Sequence, residues 1–385
     1  MVKLGIDGLM THHHALIEKK RIGLVSNYTM TDGRLVPVID HLRWDTDTEL
    51  ARLFGPEHGV LNAAKEGEHV ETGVDAHTGL PVISLYGNKK APDVDQLTDL
   101  EALVIDLADI GTRYYTNPST LYYCLEAAAR AGVHTIVLDR PNPLGGIVRE
   151  GHRLEPAYQS FVGMLPVPIR HGLTLGEQAL FIQDRFLRDA HLTVVPAEGW
   201  ERPMLFPETG LPFVPPSPNT TDFTMTLLYP GTCLFEGTNV SLGRGTPYPF
   251  AWIGAPWADG HEVAQRFNQL NLPGVMARPV YFTPTRSLYE GELVRGAALH
   301  VVDAHQVHAL KTGVRLIEVF QRLYPDHFHL GSSDDNPGRP FFDLLAGGTA
   351  LREAILSGTT EAYFAEEPDH CAQFARDVAP YLLYH

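Results

Sequence analysis

A chain of 385 residues is too long to fold around one small core, and its composition, 44% apolar and 20% charged, is that of a globular protein. The net charge of −16 argues against nucleic acid and anionic membrane surfaces as partners, because both would be repelled. An anionic ligand would therefore need a local basic pocket.

The cysteines and the first residues bear on the cellular compartment. Cys124, Cys233 and Cys371 are far apart and form no C-x-x-C motif, which is typical of a reducing compartment. The opening MVKLGIDGLMTHHH contains no apolar run long enough for a signal peptide, and no segment approaches the ~20 apolar residues of a membrane span. We expect a cytoplasmic protein, or a secreted one if a leader has been trimmed.

The first 145 residues repeat a short apolar run, turn residues and then a helical pattern. The predicted strands are RIGLVSN (21–27), ELARLFGPEH (49–58), PVISLYG (81–87), ALVIDLADIG (102–111) and TIVLDRPN (135–142). Residues 118–132 predict a helix that Ser119 or Thr120 caps and that Gly132 ends. Strands that alternate with helices predict a mainly parallel sheet covered by helices on both faces.

The pattern changes in the second half of the chain. Residues 196–260 are rich in Pro, Gly and aromatic residues and predict a functional loop or linker that packs against the body. Helical and strand patterns return from residue 261 and predict a smaller α/β domain. We divide the chain into a first domain of residues 1–228 and a second of residues 229–385.

Polar side chains follow each of the five predicted strands. They are Asn27 after the first, Glu57 and His58 after the second, Tyr86 after the third, Asp106, Asp109 and Arg113 after the fourth, and Asp139 and Asn142 after the fifth. Ligands of parallel sheets bind beyond the carboxyl ends of the strands. These residues therefore predict a polar pocket at one edge of the sheet.

The segment GPEHG (55–59) is the sharpest candidate for catalysis. Gly and Pro hold Glu57 on a stiff turn directly after an apolar strand, where its carboxyl group can act as a general acid. His58 can orient that carboxyl group or bind a substrate hydroxyl, although a histidine with a purely structural role is the more common case. The alternative is a turn residue that caps the next helix or pairs with Lys65.

A second carboxylate is available in VIDLADIGTRYYT (104–116). Glycoside hydrolysis needs an acid and a second anionic group across the scissile bond, and Asp106 or Asp109 could supply it. Tyr115, in the same stretch, could contact the substrate. Alternatively, one aspartate caps the helix near Pro118, pairs with Arg113, or helps to hold Mg²⁺, although no P-loop accompanies the pair.

Two loops add candidate binding residues. The prolines and glycines of LDRPNPLGGIVREG (138–151) predict a rigid loop from which Glu150 could reach the same crevice. In PGTCLFEGTNVSLGRGTPYPF (230–250), Glu236, Asn239 and Arg244 suit contacts to a sugar. Arg113 or Arg244 could clamp a carboxylate with two parallel hydrogen bonds. An exposed charge or an ordinary surface ion pair is the alternative for these residues.

Neither a metal nor a cofactor is predicted. The consecutive His12 to His14 point in different directions on a helix and cannot all ligate one ion, and the other histidine pairs lack an organised partner set. The GRG of residues 243–245 lacks the strand, the third glycine and the helix of a dinucleotide-binding motif.

Taken together, the motifs resemble those of the bacterial exo-β-N-acetylmuramidases. The matching segments include KRIGLVSN, LFGPEHG, TGLPVISLYG, VIDLADIGTRYYT, VLDRPNPLGG, FVGMLPVPIRHGLTLGE, GLPFVPPSPN and YPGTCLFEGTNVSLGRGTPYPFAWIGAPW. The resemblance runs from about residue 5 to 260 and continues more loosely to the C-terminus. It implies a Rossmann-like N-terminal domain without a nucleotide, a smaller C-terminal domain and a cleft between them. It also implies release of N-acetylmuramic acid (MurNAc) from the non-reducing end of peptidoglycan-derived glycans.

The resemblance places the family's proposed catalytic glutamate on Glu57. Its other motifs match Asp106, Asp109, Arg113, Asp139, Asn142, Glu236, Asn239 and Arg244. One departure follows Asn27, where this chain reads YTMTDG and the family favours a Pro-Thr-Gly type of turn.

The expected mechanism has Glu57 protonate the glycosidic oxygen, while Asp106 or Asp109, and after them Glu150, acts at the anomeric carbon. An arginine, Arg113 or Arg244, would pair with the lactyl carboxylate that distinguishes MurNAc from N-acetylglucosamine (GlcNAc). Two alternatives stay open at this point. One is a nucleotide- or phosphate-dependent α/β enzyme, against which the missing Gly-rich motif counts. The other is a muropeptide-binding protein that binds the sugar without turnover.

Overall fold

The computed structural model describes residues 1–64, 68, 72–87, 89–331 and 339–385. The strands are β1 (Arg21–Val25), β2 (Glu49–Gly55), β3 (Gly73–Val74), β4 (Pro81–Ser84), β5 (Ala102–Ile105), β6 (His134–Leu138), β7 (Leu192–Val195), β8 (Trp252–Ala255), β9 (Val275–Phe282) and β10 (Val294–Val301). The helices are α1 (Gly5–Thr11), α2 (Val38–Arg43), α3 (Asn117–Ala131), α4 (Leu175–Phe186), α5 (Phe223–Thr232), α6 (Gly260–Asn268), α7 (Ala309–Leu323), α8 (Phe341–Ala346), α9 (Ala350–Ser357) and α10 (Thr360–Val378).

The first part of the chain is built on a seven-stranded sheet in the order β3-β4-β2-β1-β5-β6-β7. Every neighbouring pair is parallel except the short β3 against β4. The five predicted strands and the mainly parallel sheet are confirmed. Because the strands are parallel, their carboxyl ends share one edge of the sheet.

Helices cover both faces of this sheet. Successive side chains of a strand point to opposite faces, and here both sets are apolar and need to be buried. Val25, Ile105 and Val137 pack in one core with α3 and α4. Their neighbours Leu24 and Val104 face the opposite side and pack with α1 and α2. Burial on both faces explains why the strands read as nearly continuous apolar runs.

The helix predicted at residues 118–132 is α3, with one correction at its start. It ends where predicted, at Gly132, which has a left-handed φ of 70°. It begins earlier than predicted, since Thr116 is the N-cap and Ser119 and Thr120 lie inside the first turns. The Ser119 hydroxyl instead donates to the carbonyl oxygen of Phe161 at 2.7 Å.

Part of the region predicted as irregular, residues 196–260, is regular in the structure. It contains α5 and β8. Helix α5 has no amphipathic stripe because it is buried from Met225 onward, and it includes Pro230 and Gly231. A Cβ on Gly231 would lie 2.0 Å from the carbonyl oxygen of Ala309 in α7, so the two helices touch through their backbones.

The second, smaller part contains the antiparallel sheet β8-β10-β9. Residues of α6 and α7, such as Phe267 and Ile317, pack in one core with Ile253 of β8 and Ala297 of β10. The predicted boundary between residues 228 and 229 falls inside α5, which packs against this part. Helix α10 returns to the first part and places Phe374 in the core beside α3 and α4. Among the described residues, no helix is long and apolar enough to span a membrane.

Glu150, a predicted binding residue, is a buried link between the two parts. Its carboxylate is fully buried and accepts from Arg170 (2.7 Å) and from the backbone N–H of Leu310 (2.7 Å). His308, the N-cap of α7, lies 3.1 Å away. Burial alone would raise the pKa of Glu150, but the charges of His308 and Arg170 bring it to about 2.

We expect Glu150→Gln to lower the melting temperature by several degrees at pH 7, because breaking a buried ion pair costs about 3–5 kcal/mol. The folded-state pKa lies below the ordinary value. The carboxylate therefore stabilises the fold above about pH 4.5, and this contribution is lost as the pH falls towards 2. Thermal scans at pH 7 and pH 3 should show a deficit that shrinks in acid.

The matched control is Glu198→Gln, which removes an exposed carboxylate paired with Lys3. It should leave the melting temperature unchanged at both pH values. Equal melting temperatures for Glu150→Gln and the unmodified protein at pH 7 would refute the stabilising role.

Candidate active site

Glu57 stands on a tight turn directly after β2. The N–H of Gly59 donates to the carbonyl oxygen of Pro56 (2.9 Å), and that of Tyr28, beyond β1, donates to Val60 (2.9 Å). His58 and Gly59 have left-handed φ values of 69° and 74°, which reverse the chain. The turn is thus closed by its own backbone and tied to the segment that follows β1.

The Glu57 carboxylate is half-buried, and its Oε2 accepts from the Thr116 hydroxyl at 2.6 Å. Thr116 is the N-cap of α3, so the sheet and the helix hold Glu57 together. The His58 ring supports the turn, with Nδ1 2.8 Å from the carbonyl oxygen of Ala64. Lys65, the alternative partner of Glu57, lies outside the described residues.

Glu57 lies on the wall of a cleft of about 980 Å³ between the two parts of the chain. The first part contributes Glu57, Tyr86, Thr116 and Phe161, and the second contributes Glu236, Asn239, Ser241, Arg244 and His329. The volume lies near the upper end of the range for small-molecule sites, about 300–1,000 Å³. The cleft can therefore hold more than one sugar ring.

Among the described residues, Glu236 is the carboxylate that shares this cleft with Glu57. It lies in the short 3₁₀ turn Cys233–Gly237 after α5 and accepts two hydrogen bonds from the Arg244 guanidinium, one of them from Nε at 3.2 Å. Arg244 also lies 5.0 Å from the centre of the Phe250 ring. This arginine, a predicted clamp for a substrate carboxylate, is therefore engaged within the protein.

Asn239 also lines the cleft, and its side-chain amide binds the backbone of His327 and His329. Its nitrogen donates to the carbonyl oxygen of His327 (2.7 Å), and its oxygen accepts from the N–H of His329 (2.8 Å). These contacts shape the cleft wall and use one donor and one acceptor position of the Asn239 amide, so fewer positions are left for a sugar.

A smaller recess of about 60 Å³ adjoins Glu57 and contains Tyr115. Tyr115 is buried, and burial raises its pKa, although a hydrogen bond with Ser217 acts in the opposite direction. Its phenol is therefore protonated at neutral pH. His58, Ser217 and Asn219 lie on the same wall.

The structure does not bring Asp106 and Asp109 to the cleft that Glu57 lines. Asp106 is buried and bonded to Arg140 through both carboxylate oxygens, with Oδ2 3.0 Å from Nη2. Asp109 accepts from Gln178 (2.6 Å) and from the N–H of Gly111 (3.1 Å). Both carboxylates are engaged in contacts within the first part of the chain.

Three further predicted binding residues also serve the fold. Asp139 is fully buried and accepts hydrogen bonds from Thr174, Gly176 and Tyr384. The Asn142 side chain donates to the carbonyl oxygen of Leu173 and accepts from the N–H of Leu144. The Asn27 side chain accepts from the hydroxyl of Thr29. Burial raises the pKa of Asp139 to about 6 despite these hydrogen bonds. Asn27 and Asn142 fix the turns that follow β1 and β6, and Asp139 holds the start of α4.

Arg113 is buried and holds backbone carbonyls instead of a ligand. Its terminal nitrogens donate to His152 (2.9 Å), Val167 (2.8 Å) and Leu345 (2.8 Å), which belong to both parts of the chain. Burial lowers its pKa to about 10, so it stays charged at neutral pH. The geometry makes it a structural link.

We expect Arg113→Met to lower the melting temperature, because the carbonyl oxygens of His152 and Leu345 lose a donor at about 1–3 kcal/mol each, while that of Val167 keeps only the N–H of Leu154. The preference between MurNAc and GlcNAc substrates should not change. Thermal scans check the melting temperature, and the ratio of kcat/KM values for MurNAc and GlcNAc glycosides checks the preference. If a folded Arg113→Met variant lost its preference for MurNAc, Arg113 would again be the candidate that binds the lactyl carboxylate.

One group of described residues has the spacing of a metal site but not its geometry. Ligand atoms of His152, Glu366 and His370 lie within 4.8 Å of one another. The two histidine rings are stacked 4.0 Å apart at 12°, and His152 Nε2 lies 3.2 Å from the carbonyl oxygen of Tyr363. Stacked rings cannot both point an in-plane lone pair at one ion.

Sequence reasoning did not select Thr116, Ser217 and Phe161 as site residues. Thr116 had a usable signal, since it stands between the Arg-Tyr-Tyr stretch and the start of a helix. Ser217 and Phe161 come from irregular segments, and only the fold places them beside Glu57.

A sugar-sized cleft between two α/β parts, with the carboxylates of Glu57 and Glu236 on its walls, is the arrangement that glycoside hydrolases use. Comparison with known families agrees. The models described as exo-beta-N-acetylmuramidase NamZ, N-terminal and C-terminal, match residues 22–224 and 227–384. The chain belongs to the exo-β-N-acetylmuramidase NamZ family of glycoside hydrolases, and the resemblance predicted from its motifs is confirmed.

Individual relatives show the same likeness. The chain is 43% identical over 384 residues to the peptidoglycan beta-N-acetylmuramidase NamZ of Bacillus subtilis (strain 168), covering 100% of this chain and 91% of that one. Two crystal structures of DUF1343 family proteins from Bacteroides fragilis match 100% of this chain and 99% of theirs. Their TM-scores are 0.89 and 0.74, at 33% and 28% identity. The predicted fold class is confirmed.

Proposed function

We propose that this protein hydrolyses the bond that joins a terminal MurNAc residue to the rest of a peptidoglycan fragment, at the non-reducing end. The observation that supports this proposal is Glu57, a half-buried carboxylate on a fixed turn, at the wall of a cleft large enough for sugar rings. The name of the Bacillus relative supports the substrate class, and the description of the family supports the exo mode.

In this proposal Glu57 is the general acid and then the base. Thr116 donates to Oε2, so the acidic proton is carried by the other carboxyl oxygen. That proton passes to the glycosidic oxygen as the bond to the anomeric carbon breaks. The resulting carboxylate accepts a proton from the water that adds to the sugar, which restores the starting state.

The second anionic group in this proposal is Glu236. The earlier candidates Asp106, Asp109 and Glu150 are bonded within the fold and do not line the cleft, whereas Glu236 does. Positive charge develops at the anomeric carbon in the transition state, and a fixed carboxylate stabilises it. The bond to Arg244 holds the Glu236 carboxylate in place.

The experiment is a comparison of 4-nitrophenyl β-glycosides of MurNAc and GlcNAc, followed by digestion of a tetrasaccharide with MurNAc at its non-reducing end. We expect nitrophenol release from the MurNAc glycoside, and free MurNAc as the first product from the tetrasaccharide. Disaccharides as the first product would contradict the exo mode. Tight binding without release would favour a muropeptide-binding protein.

A further inference from the structure

Lys90 is held between two aromatic rings at the edge of the cleft. Its ammonium nitrogen lies 3.8 Å from the centre of the Tyr86 ring and 4.1 Å from that of Phe161, and both rings lie on the cleft wall. The Ser119 hydroxyl of α3 anchors the backbone of Phe161. The position of the ammonium group is therefore restricted by the two rings, although the lysine side chain itself is flexible.

The charge of Lys90 is partly shielded from water. The side chain is half-buried, and burial lowers its pKa although the nearby charge of Glu57 acts in the opposite direction. Among the described residues, no carboxylate oxygen lies within 4.0 Å of its nitrogen. The neighbouring Lys89 differs, since it is exposed and pairs with Asp93.

A shielded cation without a paired carboxylate is costly, and in a chain with 46 acidic residues it is unexpected. The aromatic rings offset part of that cost through cation–π attraction. An anionic ligand would offset more, because charge pairs are stronger where water is excluded. Arg113 and Arg244, the two other candidates for this task, are already bonded within the protein.

We propose that Lys90 is a specificity-determining residue that binds a carboxylate on the sugar in the cleft. The inference rests on the proposed function, under which this carboxylate is the lactyl group of MurNAc. GlcNAc lacks that group and would gain nothing from Lys90. A lysine suits the task because an ammonium group attracts a carboxylate without requiring a planar, two-bond geometry.

The test is a comparison of Lys90→Met with Lys89→Met, which removes the same charge one residue away. The substrates are a 4-nitrophenyl MurNAc glycoside and its lactyl methyl ester, which has no charge. We expect the unmodified protein to prefer the acid by about 10- to 100-fold in kcat/KM, the range for a hydrogen bond to a charged group. Lys90→Met should lose this preference, mainly through KM, while Lys89→Met keeps it and Lys90→Arg keeps part of it.

Two results would overturn the inference. The first is an acid-to-ester preference that Lys90→Met retains. The second is an equal fall in kcat on both substrates with a shifted pH profile, which would show that Lys90 acts on Glu57 instead.

Binding of free MurNAc and GlcNAc, measured by calorimetry, separates this inference from the proposed function. If the protein binds MurNAc in preference but hydrolyses neither glycoside, the proposed function fails, and the Lys90 inference is still decided by whether Lys90→Met abolishes the preference. If the protein has no preference for MurNAc, the Lys90 inference fails.

Discussion

Replacing Glu57 by Gln is expected to lower kcat on a MurNAc glycoside by about 10²- to 10⁴-fold, the range that general acid–base catalysis contributes. Glutamine has nearly the same shape and can still accept the hydrogen bond from Thr116, but it has no acidic proton. The melting temperature should therefore shift by no more than about 2 °C. Initial rates of nitrophenol release and thermal scans of the same preparations measure the two effects.

The matched control for this variant is Glu49→Gln. Glu49 is an exposed residue at the start of β2, on the strand that ends before Glu57, and it should keep full activity. A Glu57→Gln variant that retains more than a tenth of the rate would show that Glu57 is not the acid.

The second large effect is expected for Glu236→Gln, with a fall in kcat of about 10²- to 10³-fold. The variant removes the charge that, in the proposed mechanism, Glu236 presents to the anomeric carbon, while the size of the side chain is kept. Since the effect belongs to the transition state, KM should change much less than kcat. Steady-state kinetics with a MurNAc glycoside separates the two parameters.

Asp106→Asn serves as the comparison for Glu236→Gln, because Asp106 was the first carboxylate predicted from the sequence for this role. Its loss leaves Arg140 without its partner and should lower the melting temperature, with kcat nearly unchanged in the folded protein. The opposite pattern, with a silent Glu236→Gln and an inactive but stable Asp106→Asn, would return the role to Asp106.

The elements that could be predicted from the sequence are those whose pattern is local. Five strands were visible because each is an apolar run bounded by turn residues, and α3 was visible from its stripe and from Gly132. Glu57 was visible because Gly and Pro flank it at a strand end. Helix α5 was missed, since burial on several sides removes the polar face by which a surface helix is recognised.

The roles of the other polar residues depend on contacts between distant segments. Asp106 and Asp139 have the same sequence signature as Glu57, a carboxylate near a strand end, and Glu150 ends the loop that follows the fifth strand. What separates them is that Arg140, Tyr384 and Arg170 bond to them in the folded chain. Such pairings join residues up to 245 positions apart, and no local pattern reports them.

An NMR time course with the disaccharide in which MurNAc is linked to GlcNAc tests the central claim most directly. With the unmodified protein we expect free MurNAc and GlcNAc to appear in equal amounts, and with Glu57→Gln we expect the disaccharide to stay intact. The first product anomer would also report whether configuration is retained or inverted. An intact disaccharide with both proteins, or equal cleavage by both, would contradict the assignment of Glu57 as the catalytic acid of a muramidase.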